Sequence, residues 1–141
     1  MHVKDYMQAI AITVSPTDPL SIAYRLMREL FIRHLPVVIE DNRLVGVISD
    51  RDIRQACLSS DVRLPESVRM EHLRTMSVGD VMSRKIYTVS PDTPLLEAAT
   101  TFLEHKFDCL PVVAEDGTLE GIITVSDFVR VYAEQHEHVI F

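Results

Sequence analysis

Residues 12–20 read I-T-V-S-P-T-D-P-L, and residues 87–95 read Y-T-V-S-P-D-T-P-L. The offset is 75 positions, and it holds without a gap on both sides. Downstream, Leu35-Pro36-Val37-Val38 falls on Leu110-Pro111-Val112-Val113, Gly46 on Gly121, Ile48 on Ile123 and Asp52 on Asp127. Upstream, Val3, Asp5 and Met7 fall on Val78, Asp80 and Met82. Over positions 3–56, 21 of 54 aligned residues are identical, which chance does not give. The chain is an internal duplication, and this fact precedes every other reading of it. The expected organisation is a first unit over 1–57, a linker over 58–77 and a second unit with a C-terminal tail over 78–141.

One copy read locally gives the other. Thr17-Asp18-Pro19 predicts an N-cap with Pro at the first helical position. Leu20, Ala23, Met27 and Leu30 then recur at helical spacing, so a helix runs to about residue 31. The second copy repeats this with Thr93-Pro94, Leu95, Ala98, Phe102 and Leu103. A β-rich run, Pro36 to Ile39, a polar turn, Glu40 to Arg43, and a second run, Leu44 to Ile48, predict a hairpin. In the second copy the turn holds Asp116-Gly117, a strong hairpin signal. A polar helix follows. With Thr13-Val14 and Thr88-Val89 as first strands, each unit reads β-α-β-β-α, an α+β (mixed α/β) pattern. A unit of this size with one small sheet cannot bury both sheet faces alone, so the copies are expected to pack together with pseudo-two-fold symmetry. The linker lacks glycine and carries Val68, Leu73 and Met76 at roughly helical spacing, which predicts a short helix.

Composition excludes several functions. The chain has 141 residues and is 47% hydrophobic, with 25% charged residues, the profile of a folded globular domain rather than a disordered one. Its formal charge is −7. Residues 1–56 carry seven basic and seven acidic groups, residues 57–77 three of each, and residues 78–141 four basic and eleven acidic. The whole imbalance therefore lies in the second copy and tail. That argues against binding nucleic acid through general charge attraction. No apolar run approaches the roughly 18 residues of a membrane span, and the N-terminus lacks the apolar stretch of a secretory signal. Cys57 and Cys109 are far apart and form no C-x-x-C pair, so a reducing cytoplasm is the expected location.

Four marks recur in the same order in both copies: a V-x-D-x-M opening, a T-V-S-P strand end, an L-P-V-V strand, and a G-h-h-[ST]-x-x-D segment, where h is apolar. The last is Gly46 to Asp52 and then Gly121 to Asp127. On these marks the chain resembles a stand-alone pair of CBS domains, also called a Bateman module. The resemblance implies tandem CBS domains packed sheet to sheet, with two clefts that take adenosine-containing ligands. These are AMP, ADP, ATP, S-adenosylmethionine or NAD. It also implies a homodimer, and a regulatory signal passed to an effector protein by a change of shape. The linker resembles that of CBS pairs linked to acetoin-utilisation operons; no pathway follows from this.

The G-h-h-[ST]-x-x-D segment suits an anionic ligand. A strand ends and a helix begins there, so free backbone N–H groups and the positive helix end face outward. The resemblance assigns a phosphate to the Ser49 or Thr124 hydroxyl and the ribose hydroxyls to the Asp52 or Asp127 carboxylate. By spacing alone the same residues equally describe a capping box that merely closes a helix. The resemblance further builds each cleft from both copies. One combines Thr13, Arg33, His34, Leu35 and Pro36 with Ile123, Thr124, Ser126 and Asp127. The other combines Thr88, Asp108, Cys109, Leu110 and Pro111 with Ile48, Ser49, Arg51 and Asp52. Apolar residues and backbone would hold the adenine. Arg33-His34 in the first copy is Asp108-Cys109 in the second, so charge ranks the Asp127 cleft as the one for the more highly phosphorylated ligand. Arg33 is equally read as a solvated surface arginine.

Other chemistry is thinly represented. His136 and His138 are two apart, and on a helix they face different sides, so no metal site is expected. Cys109 has no His placed to activate it and reads as a packed thiol. No Ser-His-Asp order, P-loop lysine or paired catalytic carboxylates stand out, so no enzyme is expected. The alternative to a ligand sensor is a structural or dimerisation module with vestigial clefts.

Overall fold

The leucines, valines and isoleucines that match between the copies become two separate cores. The computed structural model describes residues 1–9, 12–58 and 65–136. In the first copy α1 spans Leu20–Leu30, β1 His34–Ile39, β2 Arg43–Ser49 and α2 Asp50–Leu58. The linker contributes α3, Glu66–Thr75, followed by the single turn α4, Val78–Val81. The second copy gives α5, Leu95–His105, β3, Cys109–Val113, β4, Leu119–Thr124, and α6, Val125–Gln135. β1 pairs antiparallel with β2, and β3 with β4. The registers match at the repeat offset, including an irregularity after Val37 and after Val112.

The expected first strands shrink to one residue each. Val14 bridges Val37, and Val89 bridges Val112, both in parallel. The ladder stops because the next residue placed to donate to β1 or β3, Pro16 or Pro91, has no N–H. The Ser15 amide donates to Asp18 Oδ2 at 2.8 Å, the Ser90 amide donates to Thr93 Oγ1 at 3.0 Å, and proline follows in both copies. The helix starts are also shifted. Pro19 and Pro94 are extended N-caps rather than first helical residues. The Leu20 amide donates to the Met76 carbonyl at 2.8 Å and the Leu95 amide to the Met1 carbonyl at 3.0 Å, which fixes Pro outside the helix.

Those two bonds belong to a reciprocal exchange. Residues 1–9 and 87–136 make one compact unit, and 12–58 with 65–86 make the other. The opening of each copy is thus built into the body of the other. In the second unit of the chain the Val3 amide donates to the Thr93 carbonyl at 2.9 Å, and Gln8 bridges Ile122. In the first, the Val78 amide donates to the Asp18 carbonyl at 2.8 Å, and Ser83 bridges Val47. Val3 and Val78 are both 0% exposed, so each opening closes the core of the other copy. A methyl at Gly46 would lie 2.8 Å from the Ser83 carbonyl oxygen, and one at Gly121 would lie 2.5 Å from that of Gln8. The two repeated glycines are therefore explained by close backbone approach.

The first core gathers Val14, Leu20, Ala23, Leu35, Val37, Ile48, Ile53 and Val78, and Leu73 of α3 joins it. The second gathers Val3, Leu95, Ala98, Phe102, Leu110, Val112, Ile123 and Val131. Each buried large apolar side chain contributes roughly 1.5–3 kcal/mol. Turn chemistry matches the sequence. Gly117 takes φ +88° and donates to the Ala114 carbonyl at 3.0 Å, closing the β3–β4 turn. In the first copy Asp41 and Asn42 take φ 62° and 58°, which these residue types tolerate.

Candidate functional site

Each hairpin delivers two loop ends to the start of a helix. In β1–β2, His34 pairs with Ser49 and Leu35 with Ile48, and the Asp50 amide donates to the Arg33 carbonyl at 2.9 Å. In β3–β4, Cys109 pairs with Thr124 and Leu110 with Ile123, and the Val125 amide donates to the Asp108 carbonyl at 3.1 Å. Arg33 and His34 therefore sit beside Ser49, Arg51 and Asp52 within one unit. Asp108 and Cys109 sit beside Thr124, Ser126 and Asp127 within the other. Thr13 and Thr88 stand one residue before the bridging valines.

The side chains differ sharply in what they offer. Leu35, Ile48, Leu110 and Ile123 are 0% exposed and belong to the cores, so only their backbone can meet a ligand. Pro36 and Pro111 are also buried. Arg33, Arg51, Thr88, Asp108 and Ser126 are exposed, and Thr13, His34, Ser49, Asp52 and Thr124 are half-buried. Cys109 is buried, and burial, reinforced by Asp108 and Asp127, pushes its thiol up to about 12. It is therefore a protonated, packed thiol and not a nucleophile at neutral pH.

Both Ser/Thr-x-x-Asp segments form reciprocal caps. The Ser49 amide donates to Asp52 Oδ2 at 2.9 Å, and the Asp52 amide donates to Ser49 Oγ at 3.1 Å. The Thr124 amide donates to Asp127 Oδ2 at 2.7 Å, and the Thr124 hydroxyl donates to the same oxygen at 3.3 Å. Beyond the cap the copies part. Asp127 is 1% exposed, and its Oδ1 accepts from Arg130 Nη2 at 2.6 Å. The same guanidinium nitrogen donates to the Tyr6 carbonyl at 3.4 Å. In the first copy position 55 is Gln, and the nearby Arg54 pairs instead with Asp50 at 3.4 Å. Asp52 makes no ion pair among the described residues and stays half-buried.

Arg130 is absent from the residues expected from sequence. Its signal is its position one turn after Asp127 on α6, where i and i+3 side chains meet. Away from these junctions, α1 and α3 frame a groove of about 380 Å³ lined by Tyr24, Arg25, Arg28, Glu29, Glu66 and Met70. Among the described residues no three His, Cys, Asp or Glu side chains gather as a metal site. His136 bonds the Tyr132 carbonyl at 2.9 Å and stacks on its ring, while His138 lies outside the described residues. No helix among the described residues is long and apolar enough to cross a membrane.

Comparison with known proteins bears on the repeat and on the fold. The family model described as CBS domain matches residues 3–59 and 78–134. A CBS domain-containing protein of Dictyostelium discoideum is 32% identical over 137 residues, covering 97% of this chain and 94% of that one. A Vibrio cholerae structure described as a candidate acetoin utilization protein superposes with a TM-score of 0.82 at 34% identity, covering 97% of this chain and 93% of that one. CBSX2, solved in complex with AMP, gives a TM-score of 0.80 at 32% identity, covering 95% of this chain and 97% of that one. Several other relatives are much longer. The inosine-5'-monophosphate dehydrogenase of Bifidobacterium longum is 35% identical over 120 residues, 84% of this chain but only 20% of that protein. Matched over both copies of its repeat, the chain belongs to the CBS-domain family and carries two CBS domains in tandem.

Proposed function

We propose that this CBS pair is a non-catalytic sensor that binds an adenosine-containing ligand, AMP, ADP, ATP, S-adenosylmethionine or NAD, and reports it to an effector protein. The observation that carries this reading is the Ser49–Asp52 junction. There a hydroxyl, the N-terminal turn of α2 and a half-buried carboxylate meet at one loop end, with Arg33 and Arg51 exposed alongside. Helix N–H groups and guanidinium suit phosphate, and a carboxylate oxygen suits vicinal ribose hydroxyls. The likeness to CBSX2 with AMP supports the ligand class. The ligand acts by binding two arrangements of the pair with different affinity, since equal affinity would shift nothing. Two free cysteines fit a reducing, cytoplasmic setting.

A homodimer is part of the proposal. Leu96 and Leu103 on α5 are 80% and 82% exposed, and Val129 and Tyr132 on α6 are 64% and 66% exposed. The matching positions of the first copy are Ser21, Arg28, Arg54 and Cys57. An apolar face in one copy where the other is largely polar suits covering by a second copy of this chain.

A second reading has its own support, because both helix caps are complete without a ligand. On that reading the module only binds partners. A panel of AMP, ADP, ATP, NAD and S-adenosylmethionine separates the two. A true ligand at 100 times its dissociation constant adds about 2.7 kcal/mol of stability, read as a thermal shift and then by calorimetry. No shift with any of the five sinks the sensor.

A further inference from the structure

The two capped aspartates are the same residue of one repeat, yet they stand in opposite states. Both oxygens of Asp127 already accept. Oδ2 accepts from the Thr124 amide at 2.7 Å, Oδ1 accepts from Arg130 at 2.6 Å, and the residue is 1% exposed. Arg130 is itself held by the Tyr6 carbonyl at 3.4 Å, contributed by the exchanged N-terminal segment. Among the described residues Asp52 accepts the amide bond to Oδ2 alone; it remains half-buried and is followed at the position of Arg130 by Gln55. A ribose that uses Asp127 must first displace a charge-assisted hydrogen bond from a nearly fully buried carboxylate, among the stronger contacts a protein makes. A ribose that uses Asp52 displaces nothing of that kind.

We propose that Arg130 is a positioning residue that closes Asp127 to a ribose, so that Asp52 is the primary acceptor and the two junctions bind adenosine ligands unequally. This inference rests on the adenosine-binding reading above. It ranks the sites opposite to the expectation drawn from the resemblance, in which Arg33 and His34 favour the Asp127 cleft. Cations draw the phosphate to a site, but the ribose needs an accessible carboxylate oxygen, and of the two aspartates Asp52 is the one that is half-buried and without an ion pair among the described residues. Arg130 is half-exposed, with 52% of its side chain accessible, so it can swing away once its partner is lost.

Calorimetric titration with AMP tests this on the intact chain. Asp52→Asn is expected to weaken the tighter binding about tenfold or more, the scale of one charge-assisted hydrogen bond. Arg130→Gln is expected to raise affinity at the weaker site by about the same factor, or to make a second equivalent visible. Because Arg130→Gln leaves a buried carboxylate without its partner and could unfold the unit, the reverse variant is measured as well. Gln55 is exposed, and Gln55→Arg is expected to close the first site, weakening the tighter AMP binding about tenfold while the melting temperature holds. A purely structural role for the arginine would change melting temperature and leave affinity and stoichiometry alone. The inference is overturned if AMP binds but Gln55→Arg and Arg130→Gln change neither its affinity nor its stoichiometry. If neither the wild type nor Arg130→Gln binds AMP or any compound of the panel, the adenosine reading itself fails and this inference with it.

Discussion

The Val78 amide donates to the Asp18 carbonyl at 2.8 Å, and through this bond the opening of the second copy is built into the body of the first. The equivalent bond, from Val3 to Thr93 at 2.9 Å, does the same in reverse. Each CBS body therefore depends on a segment that opens the other copy of the repeat. The exchange leaves a specific point of sensitivity at the two repeated glycines. A methyl at Gly121 would stand 2.5 Å from the Gln8 carbonyl oxygen, a backbone atom that no rotamer change can move. Gly121→Ala is expected to destabilise by about 1–3 kcal/mol, the usual cost of overpacking. Chemical denaturation measures this, and an unchanged midpoint would refute the close approach.

Helix α1 ends on Phe31 and α5 on Lys106, both left-handed, at φ 55° and 56°. Neither is glycine, and Phe31 is 94% exposed, so its ring gains nothing from packing there. The left-handed region costs an L residue about 1–2 kcal/mol; glycine avoids that cost, but its larger loss of chain entropy on folding offsets part of the gain. Phe31→Gly and Lys106→Gly are each expected to stabilise the chain by up to about 1 kcal/mol. A fall in melting temperature for both would count against the assignment.

The two thiols should behave differently. Cys57 is half-buried and Cys109 buried. A thiol reagent at neutral pH is expected to label Cys57 first and Cys109 only on unfolding. Equal rates would mean that the β3–β4 end opens readily.

Cys109 also sets a pH dependence. Its proton is retained in the folded chain to about 12 but lost near the ordinary 9.0 once unfolded. Above pH 9 the unfolded state therefore binds fewer protons, and this contribution to stability falls as pH rises; below pH 9 it is fully present. Other groups titrate in the same range, so the informative quantity is the difference from Cys109→Ala. That difference is expected to stay constant below pH 9 and to shrink above it. A difference that grows above pH 9 would reverse the sign of the argument.

The apolar α5–α6 face gives a prediction about assembly. Leu103→Glu places a charge where the side chain is 82% exposed, so the fold should hold. If the face is covered by a second copy, the variant is expected to sediment as a monomer at concentrations where the wild type is a dimer. A wild type that is monomeric throughout would remove the second copy as the occupant.

Much of the local structure is legible in the residues. The offset of 75 fixes a duplication, the spacing of Leu20, Ala23 and Met27 fixes α1, and Asp116-Gly117 fixes a turn. The linker helix follows from the absence of glycine and the recurrence of Leu73 and Met76, and the structure adds that Leu73 is buried in the first core. The first strands are less legible. Thr13-Val14 has the composition of a strand, but Pro16, two residues after the bridging Val14, has no N–H to continue the ladder, and the intervening Ser15 amide turns to Asp18.

The candidate site divides in the same way. Ser49, Asp52, Thr124 and Asp127 are recognisable as a repeated motif, and as capping boxes by their spacing. Their equality in sequence conceals an inequality in space. Arg130 stands three residues after Asp127, where any helix would bring the two near, but nearness alone does not fix the strength of the bond. The 1% exposure of Asp127 and the Tyr6 carbonyl behind Arg130 do, and both come from the N-terminal segment and the second core closing around α6. The sequence by itself determined that there are two copies, what elements each contains and which residues stand at each junction, because those follow from periodicity and residue type. The tertiary structure alone decided which opening completes which core and which carboxylate is left free, because burial and partners far along the chain are set only when the backbone has folded.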